Sequence, residues 1–173
     1  VALIKNGYSV NTVDGGELKE AEAWLLERKD KISAFTYDVV SLIQAGDIAA
    51  AHWYVGATLY TLDEPDKLGF MIPEEGATMY QEDICGLKDA PNQDSAISFF
   101  EFYMQPEIAA LNTLQQVNGT ANIPARDLLP DNLKSNPNTN PSPEVVAKLQ
   151  IFEDLGNDLK KYNRVWTKVR TAQ

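Results

Sequence analysis

The stretch Ile72-Pro73-Glu74-Glu75-Gly76-Ala77-Thr78-Met79-Tyr80-Gln81-Glu82-Asp83-Ile84-Cys85-Gly86-Leu87 decides how the chain is read. Leu68 to Ile72 has the length and apolar content of a strand, and Pro73 ends it because proline cannot donate to a ladder. Glu74-Glu75-Gly76 follows as a loop, and Thr78 to Leu87 reads as a second strand. Upstream, Asp14-Gly15-Gly16 marks a turn. Glu17 to Lys31 then carries Leu18, Ala21, Trp24 and Leu25 at helical spacing, with acids early and lysines late. Ile32 to Phe35 reads as a short strand. Asp38 to Ala45 reads as a helix stopped by Gly46, and Ile48 to Tyr54 as a buried strand. Helix and strand alternate, which predicts an α/β lobe with a parallel or mixed sheet.

The second half changes character. Asn92 is placed to cap a helix running to about Met104, with Ala96, Phe99, Phe100 and Tyr103 on one stripe. Pro106 suits the first turn of a following helix whose expected inward residues are Ile108, Leu111 and Leu114. The Pro- and Asn-rich run from Pro130 to Pro143 reads as a long surface connection without a regular element. Glu144 to Gln173 reads as two short helices.

The 173 residues, 44% of them hydrophobic, are enough for one good-sized core. Val1 begins the chain without an initiator Met or a secretory leader, so the start reads as mature, processed or truncated. No run of residues approaches the ~20 apolar positions of a membrane helix, so no membrane insertion is expected. The net charge of −10 disfavours nucleic acid and favours cationic ligands, although acidity alone also serves solubility. Cys85 is the only cysteine and reads as a small buried hydrophobe. His52 is the only histidine and has no catalytic motif around it. No metal site, catalytic residue or cofactor is expected, because phosphate-binding loops, nucleophile elbows and zinc signatures are all missing.

A binding reading does better. On a strand, Tyr80 and Glu82 share a face, because side chains alternate with period two. A ring beside a carboxylate suits a primary ammonium, which gains charge-assisted hydrogen bonds and roughly 0.5–2 kcal/mol of cation–π attraction. Trp53 ends the other buried-looking strand. Spacing alone leaves the commoner alternative open, in which such rings are core and Glu82 is a solvated charge.

The order of short motifs adds to this. Lys5-Asn6-Gly7-Tyr8-Ser9-Val10-Asn11-Thr12 is followed by Ala34-Phe35-Thr36-Tyr37-Asp38, then by Gln44-Ala45-Gly46-Asp47 before Trp53. Ile72-Pro73-Glu74-Glu75-Gly76-Ala77 and Tyr80-Gln81-Glu82-Asp83 come next. Phe99 to Tyr103, Gln105-Pro106-Glu107-Ile108-Ala109 and Val165-Trp166-Thr167-Lys168-Val169 complete the series. In content and order these resemble the spermidine/putrescine-binding proteins of ABC importers, over essentially the whole chain. The resemblance implies an α/β fold of the type II periplasmic-binding-protein class, two lobes with ligand trapped between them. This chain would supply the C-terminal portion.

By the same resemblance, residues 1–87 would form the second lobe, residues 88–125 would be helices packing on a first lobe that this chain lacks, and residues 126–173 would return to the second lobe. The implied ligand is a small cationic polyamine and the implied partners are ABC permease subunits, in the periplasm. Trp53 falls on a ligand-stacking Trp of that family. Tyr80 falls on a second stacking position, and Glu82 falls on an amine-holding Asp. Tyr37 falls on a loop facing the cleft. Asn118 and Phe152 fall where a Tyr and a Gln are found. A module that senses a cationic solute without feeding a permease is the alternative with the same fold.

Overall fold

The computed structural model describes residues 1–57, 61 and 63–172. The helices described below are α1 Ala2–Lys5, α2 Gly15–Glu27, α3 Val39–Ala45, α4 Gln93–Tyr103, α5 Pro106–Gln116, α6 Ile123–Asp127, α7 Asp131–Lys134, α8 Pro143–Val146 and α9 Leu159–Thr171. Two strands, β1 Ala77–Met79 and β2 Leu149–Ile151, pair in parallel with Ala77 opposite Leu149 and Met79 opposite Ile151. The chain divides into two compact units. The first holds Val1–His52, Ile72–Tyr80 and Glu144–Gln173, and the second holds Trp53–Met71 and Gln81–Pro143.

In the first unit, α2 begins at Gly15, inside the expected turn, and ends at Glu27 rather than Lys31. The Asp14 carboxylate accepts from the Gly16 and Glu17 N–H groups at 2.7 and 3.0 Å, satisfying two of the orphan donors of the first turn. Leu18 and Ala21, one helical turn apart, are buried. Helix α9 packs against α2, with Val169 fully buried and Lys168 reaching Glu22 at 3.0 Å. Helix α3 ends at Gly46, whose φ of +79° gives the left-handed cap that glycine adopts without steric cost.

The parallel pair is tightly specified. Gly76 enters β1 at φ +109°, and a Cβ built there would lie 2.6 Å from the carbonyl oxygen of Lys148, just before β2. The Lys148 ammonium reaches back to the Glu74 carbonyl at 3.0 Å. Lys5 of α1 bridges to Glu75 at 2.6 Å, and this ion pair holds the Glu75 carboxyl below its ordinary value. The turn of residues 73–76 is therefore pinned from two sides before β1 begins.

In the second unit the core lies between α5 and α6, where Ala109, Ala110, Ala125 and Leu129 form one buried cluster. Small residues let the two helices approach closely. The inward face of α5 is thus Ala109, Ala110 and Thr113, while Leu111 and Leu114 stand outward at 61% and 39% exposure. Helix α4 forms where expected, yet none of its residues is buried.

The strand expectations hold least well. Residues 32–35, 48–54 and 68–72 lie outside any ladder, and the strand expected over 78–87 is only Ala77–Met79. A strand exists only where a partner backbone supplies its hydrogen bonds, and among the described residues β2 is the one partner for β1. Cys85 is exposed rather than buried, because it lies in the open run after β1. The Pro- and Asn-rich run contains α7 and is anchored. Leu133 and Thr139 are buried, Thr139 Oγ1 and Asn140 Nδ2 donate to the Leu133 carbonyl, and Asn138 Nδ2 donates to the Phe70 carbonyl at 2.8 Å.

Gly76→Ala adds both an unfavourable φ and a clash with backbone. It is expected to lower the unfolding free energy by about 2–3 kcal/mol in urea titration, whereas Gly15→Ala, at a position with open space, is expected to be near neutral.

Candidate functional site

Tyr80 and Phe152 are the residues immediately after β1 and β2. Their preceding neighbours, Met79 and Ile151, are register partners, and adjacent parallel strands lie about 4.8 Å apart. Both rings therefore stand at the carboxyl end of the parallel pair, 44% and 64% exposed. In open α/β sheets that end is where ligands bind, because strand termini and the loops after them diverge there. The sequence pointed to Tyr80 and Phe152 separately, and register brings them together. Tyr37, on the loop before α3, is 81% exposed. The Asp38 N–H on that loop is held by Thr36 Oγ1 at 3.1 Å.

The loop 8–13 supports this end of the unit. Gln150 of β2 accepts from the Val10 N–H at 2.7 Å. The Asn11 side chain donates to the Ile151 carbonyl at 2.8 Å and accepts from the Glu153 N–H at 3.1 Å. The Tyr162 hydroxyl of α9 lies 2.7 Å from the Thr12 carbonyl and 2.8 Å from that of Val10, and burial pushes its pKa up. Lys161 adds a bond to the Val13 carbonyl at 2.8 Å. These supports were not picked out from the sequence. The available signal is the motif from Lys5 to Thr12 itself, which carries the resemblance without showing what its side chains bind.

The second unit carries Trp53, Glu82 and Asn118. Trp53 is half-buried with its ring edge-to-face on Tyr54 at 5.4 Å. The turn that follows packs on the end of α5, where a Cβ on Gly56 would lie 3.4 Å from the Gln116 carbonyl and 3.5 Å from Asn118 Oδ1. Asn118 follows Val117, which is 1% exposed and held at φ +54°. That conformation costs a non-glycine residue roughly 1–2 kcal/mol, and burial of the Val117 side chain offsets it. Among the described residues Asn118 Oδ1 is a buried acceptor with no donor. Glu82 is exposed. Because β1 stops at Met79, the shared-face argument for Tyr80 and Glu82 does not carry past the strand.

The six expected residues are thus distributed three to each unit. A separate open groove in the first unit, about 620 Å³, lies among Asn6, Tyr8, Glu20, Trp24 and Glu27. Its carboxylates already have partners. Tyr8 donates to Glu20 at 2.6 Å, which raises the phenol pKa, and Arg28 pairs with Glu27 and lies 4.5 Å over the Trp24 ring. No group of three or more His, Cys, Asp or Glu side chains is placed to hold a metal among the described residues, and no helix there is long and apolar enough to cross a membrane.

No family model matches the chain. Curated relatives do. A putrescine-binding periplasmic protein of Pseudomonas aeruginosa is 30% identical over 99% of this chain and 49% of its own length. A putrescine/cadaverine-binding protein of the same species is 26% identical over 98% of this chain and 50% of its own length. A spermidine/putrescine-binding periplasmic protein of Haemophilus influenzae is 22% identical over the whole of this chain and 48% of its own length. Among solved structures, the spermidine/putrescine ABC transporter substrate-binding protein of Streptococcus pneumoniae superposes with a TM-score of 0.88. It is 26% identical and covered over 53% of its length. The chain spans about half the length of the relatives it matches. The α/β fold class expected from the sequence is that of these neighbours.

A buried acceptor without a donor costs about 1–3 kcal/mol, so Asn118→Leu is expected to raise the unfolding free energy by about 1 kcal/mol in urea titration. A loss of that size would mean that Oδ1 finds a donor in the folded chain.

Proposed function

We propose, from the premise that this chain is homologous to about half of the spermidine/putrescine-binding periplasmic proteins, that it is the C-terminal portion of a two-lobed periplasmic binding protein. The whole protein would capture a polyamine of the putrescine/spermidine class and deliver it unchanged to an ABC permease. It performs no catalysis in this reading. The observation that carries it is the pair of exposed rings, Tyr80 and Phe152, at the carboxyl end of the parallel strands, in a chain of net charge −10.

A polyamine is an alkyl chain with ammonium heads. Rings supply apolar and cation–π contact along the methylenes, and carboxylates or amides accept from the heads. In this proposal the ligand-facing residues of the first unit are the rings of Tyr37, Tyr80 and Phe152, and those of the second unit, taken by itself, are Trp53, Glu82 and Asn118. Glu82 supplies the charge. Capture would proceed by hinge closure of two lobes, and the closed form would dock on the permease.

The exposed apolar residues of α4 support a further part of the proposal, that residues 88–125 pack on the first lobe. Ile97, Phe99 and Phe102 are each about half exposed and Met104, just past the helix, is 70% exposed, whereas a helix that is apolar on most sides belongs in an interior. This chain by itself is accordingly expected to bind polyamines weakly or not at all.

Calorimetry with putrescine, spermidine and spermine tests the reading on the full-length protein that carries this chain. Binding at about micromolar Kd or tighter is expected. Glu82→Gln is expected to weaken it by about 10- to 100-fold, the worth of a hydrogen bond to a charged group. Absence of heat with all three amines would move the ligand to another solute.

A further inference from the structure

We propose that Asn11 is a positioning residue for Phe152, holding the backbone on both sides of that ring so that it stands toward bound ligand; the proposal rests on the polyamine reading above. Phe152 is the first residue beyond β2. In a parallel ladder, a residue accepts from the N–H that follows its partner and donates to the C=O that precedes it. The Asn11 carboxamide supplies the same two functions from a side chain. Its Nδ2 donates to the carbonyl of Ile151 at 2.8 Å, and its Oδ1 accepts from the N–H of Glu153 at 3.1 Å. Phe152 lies between those two bonds. Asn11 thus gives the backbone around Phe152 the pair of bonds that a neighbouring strand residue would give, at the position whose side chain stands 64% exposed.

Asn11 is itself fixed. The neighbouring backbone is tied at Val10 by Gln150, at Val10 and Thr12 by the Tyr162 hydroxyl, and at Val13 by Lys161. The Ser9 hydroxyl accepts from the Asn11 N–H at 3.1 Å. A residue serving only to close the loop would need one bond to the strand. Two bonds bracketing one exposed aromatic residue fix its φ and ψ, and with them the direction of the ring.

The test uses the full-length protein with Asn11→Ala, Asn11→Asp, Phe152→Ala and the double variant Asn11→Ala/Phe152→Ala. Two readouts are taken: amide hydrogen exchange at Glu153, and putrescine and spermidine affinity by calorimetry. Asn11→Ala is expected to speed Glu153 exchange at least tenfold, and Asn11→Asp, which keeps the acceptor, to speed it less. Asn11→Ala is expected to weaken amine binding several-fold. The double variant is expected to bind no more weakly than Phe152→Ala alone, since Asn11 acts through that ring. Unchanged Glu153 exchange in Asn11→Ala overturns the proposal, whatever the amine result. Faster exchange with unchanged affinity, where Phe152→Ala does weaken binding, also overturns it and leaves Asn11 a merely structural residue. If the wild-type protein binds no amine, the polyamine reading fails, and with it the ligand-directed role of Asn11. The exchange result still reports separately whether the backbone is held.

Discussion

The pairing of Ala77–Met79 with Leu149–Ile151 is the contact on which the first unit depends. It joins backbone from distant parts of the chain, so it carries a loop-closure cost that local structure cannot offset. The compensation is visible on both strands. Gly76 allows the entry to β1 to pass within reach of the Lys148 carbonyl, and Lys5 and Lys148 tie down the turn before it. On β2, Gln150 and the backbone around Phe152 are bonded to the loop from Val10 to Thr12, which α9 holds through Tyr162. Short strands paired over three residues would be marginal alone. Here they are braced by side chains from α1, the 8–13 loop and the C-terminal helix.

That bracing has a functional reading because of where the strands end. Parallel strands finish at the same edge, so one pairing event delivers Tyr80 and Phe152 to one place. The chain's net charge of −10 favours cationic over anionic solutes in general. In the second unit, Val117 at φ +54° and the Asn118 oxygen, unpaired among the described residues, mark the end of α5 as locally costly. Such positions recur at binding sites.

How much of this was legible in the sequence follows from the range of the forces involved. Helices α2, α3, α4 and α5 are readable because their signals are local: the Gly46 stop, the spacing of Leu18 and Ala21, and Pro106 in a first turn, while the Asp14 cap of α2 reads from sequence as a turn. Strands were not, because pairing is a property of two distant segments. Residues 32–35, 48–54 and 68–72 have strand composition and no ladder, whereas Leu149–Ile151, read as part of a helical tail, is the partner that β1 finds. Burial was misread at Cys85, Leu111 and Leu114, where apolar character was taken for inward direction. The small residues Ala109, Ala110 and Thr113 fill the interface instead. The six expected ligand residues rest largely on resemblance, since an exposed Glu82 or a half-buried Trp53 carries no distinguishing spacing of its own. Asn11 shows the converse. Asn11 stands within a short motif, and its bonds are visible only with the atoms of Ile151 and Glu153 beside it.

The account's central claim is that ligand binds at the carboxyl end of the β1–β2 pair. A crystal structure of the full-length protein grown with putrescine tests it most directly. The expected result is the diamine with its methylenes against Tyr80 and Phe152. A diamine bound away from the ends of β1 and β2, with both rings covered by other protein, would contradict it.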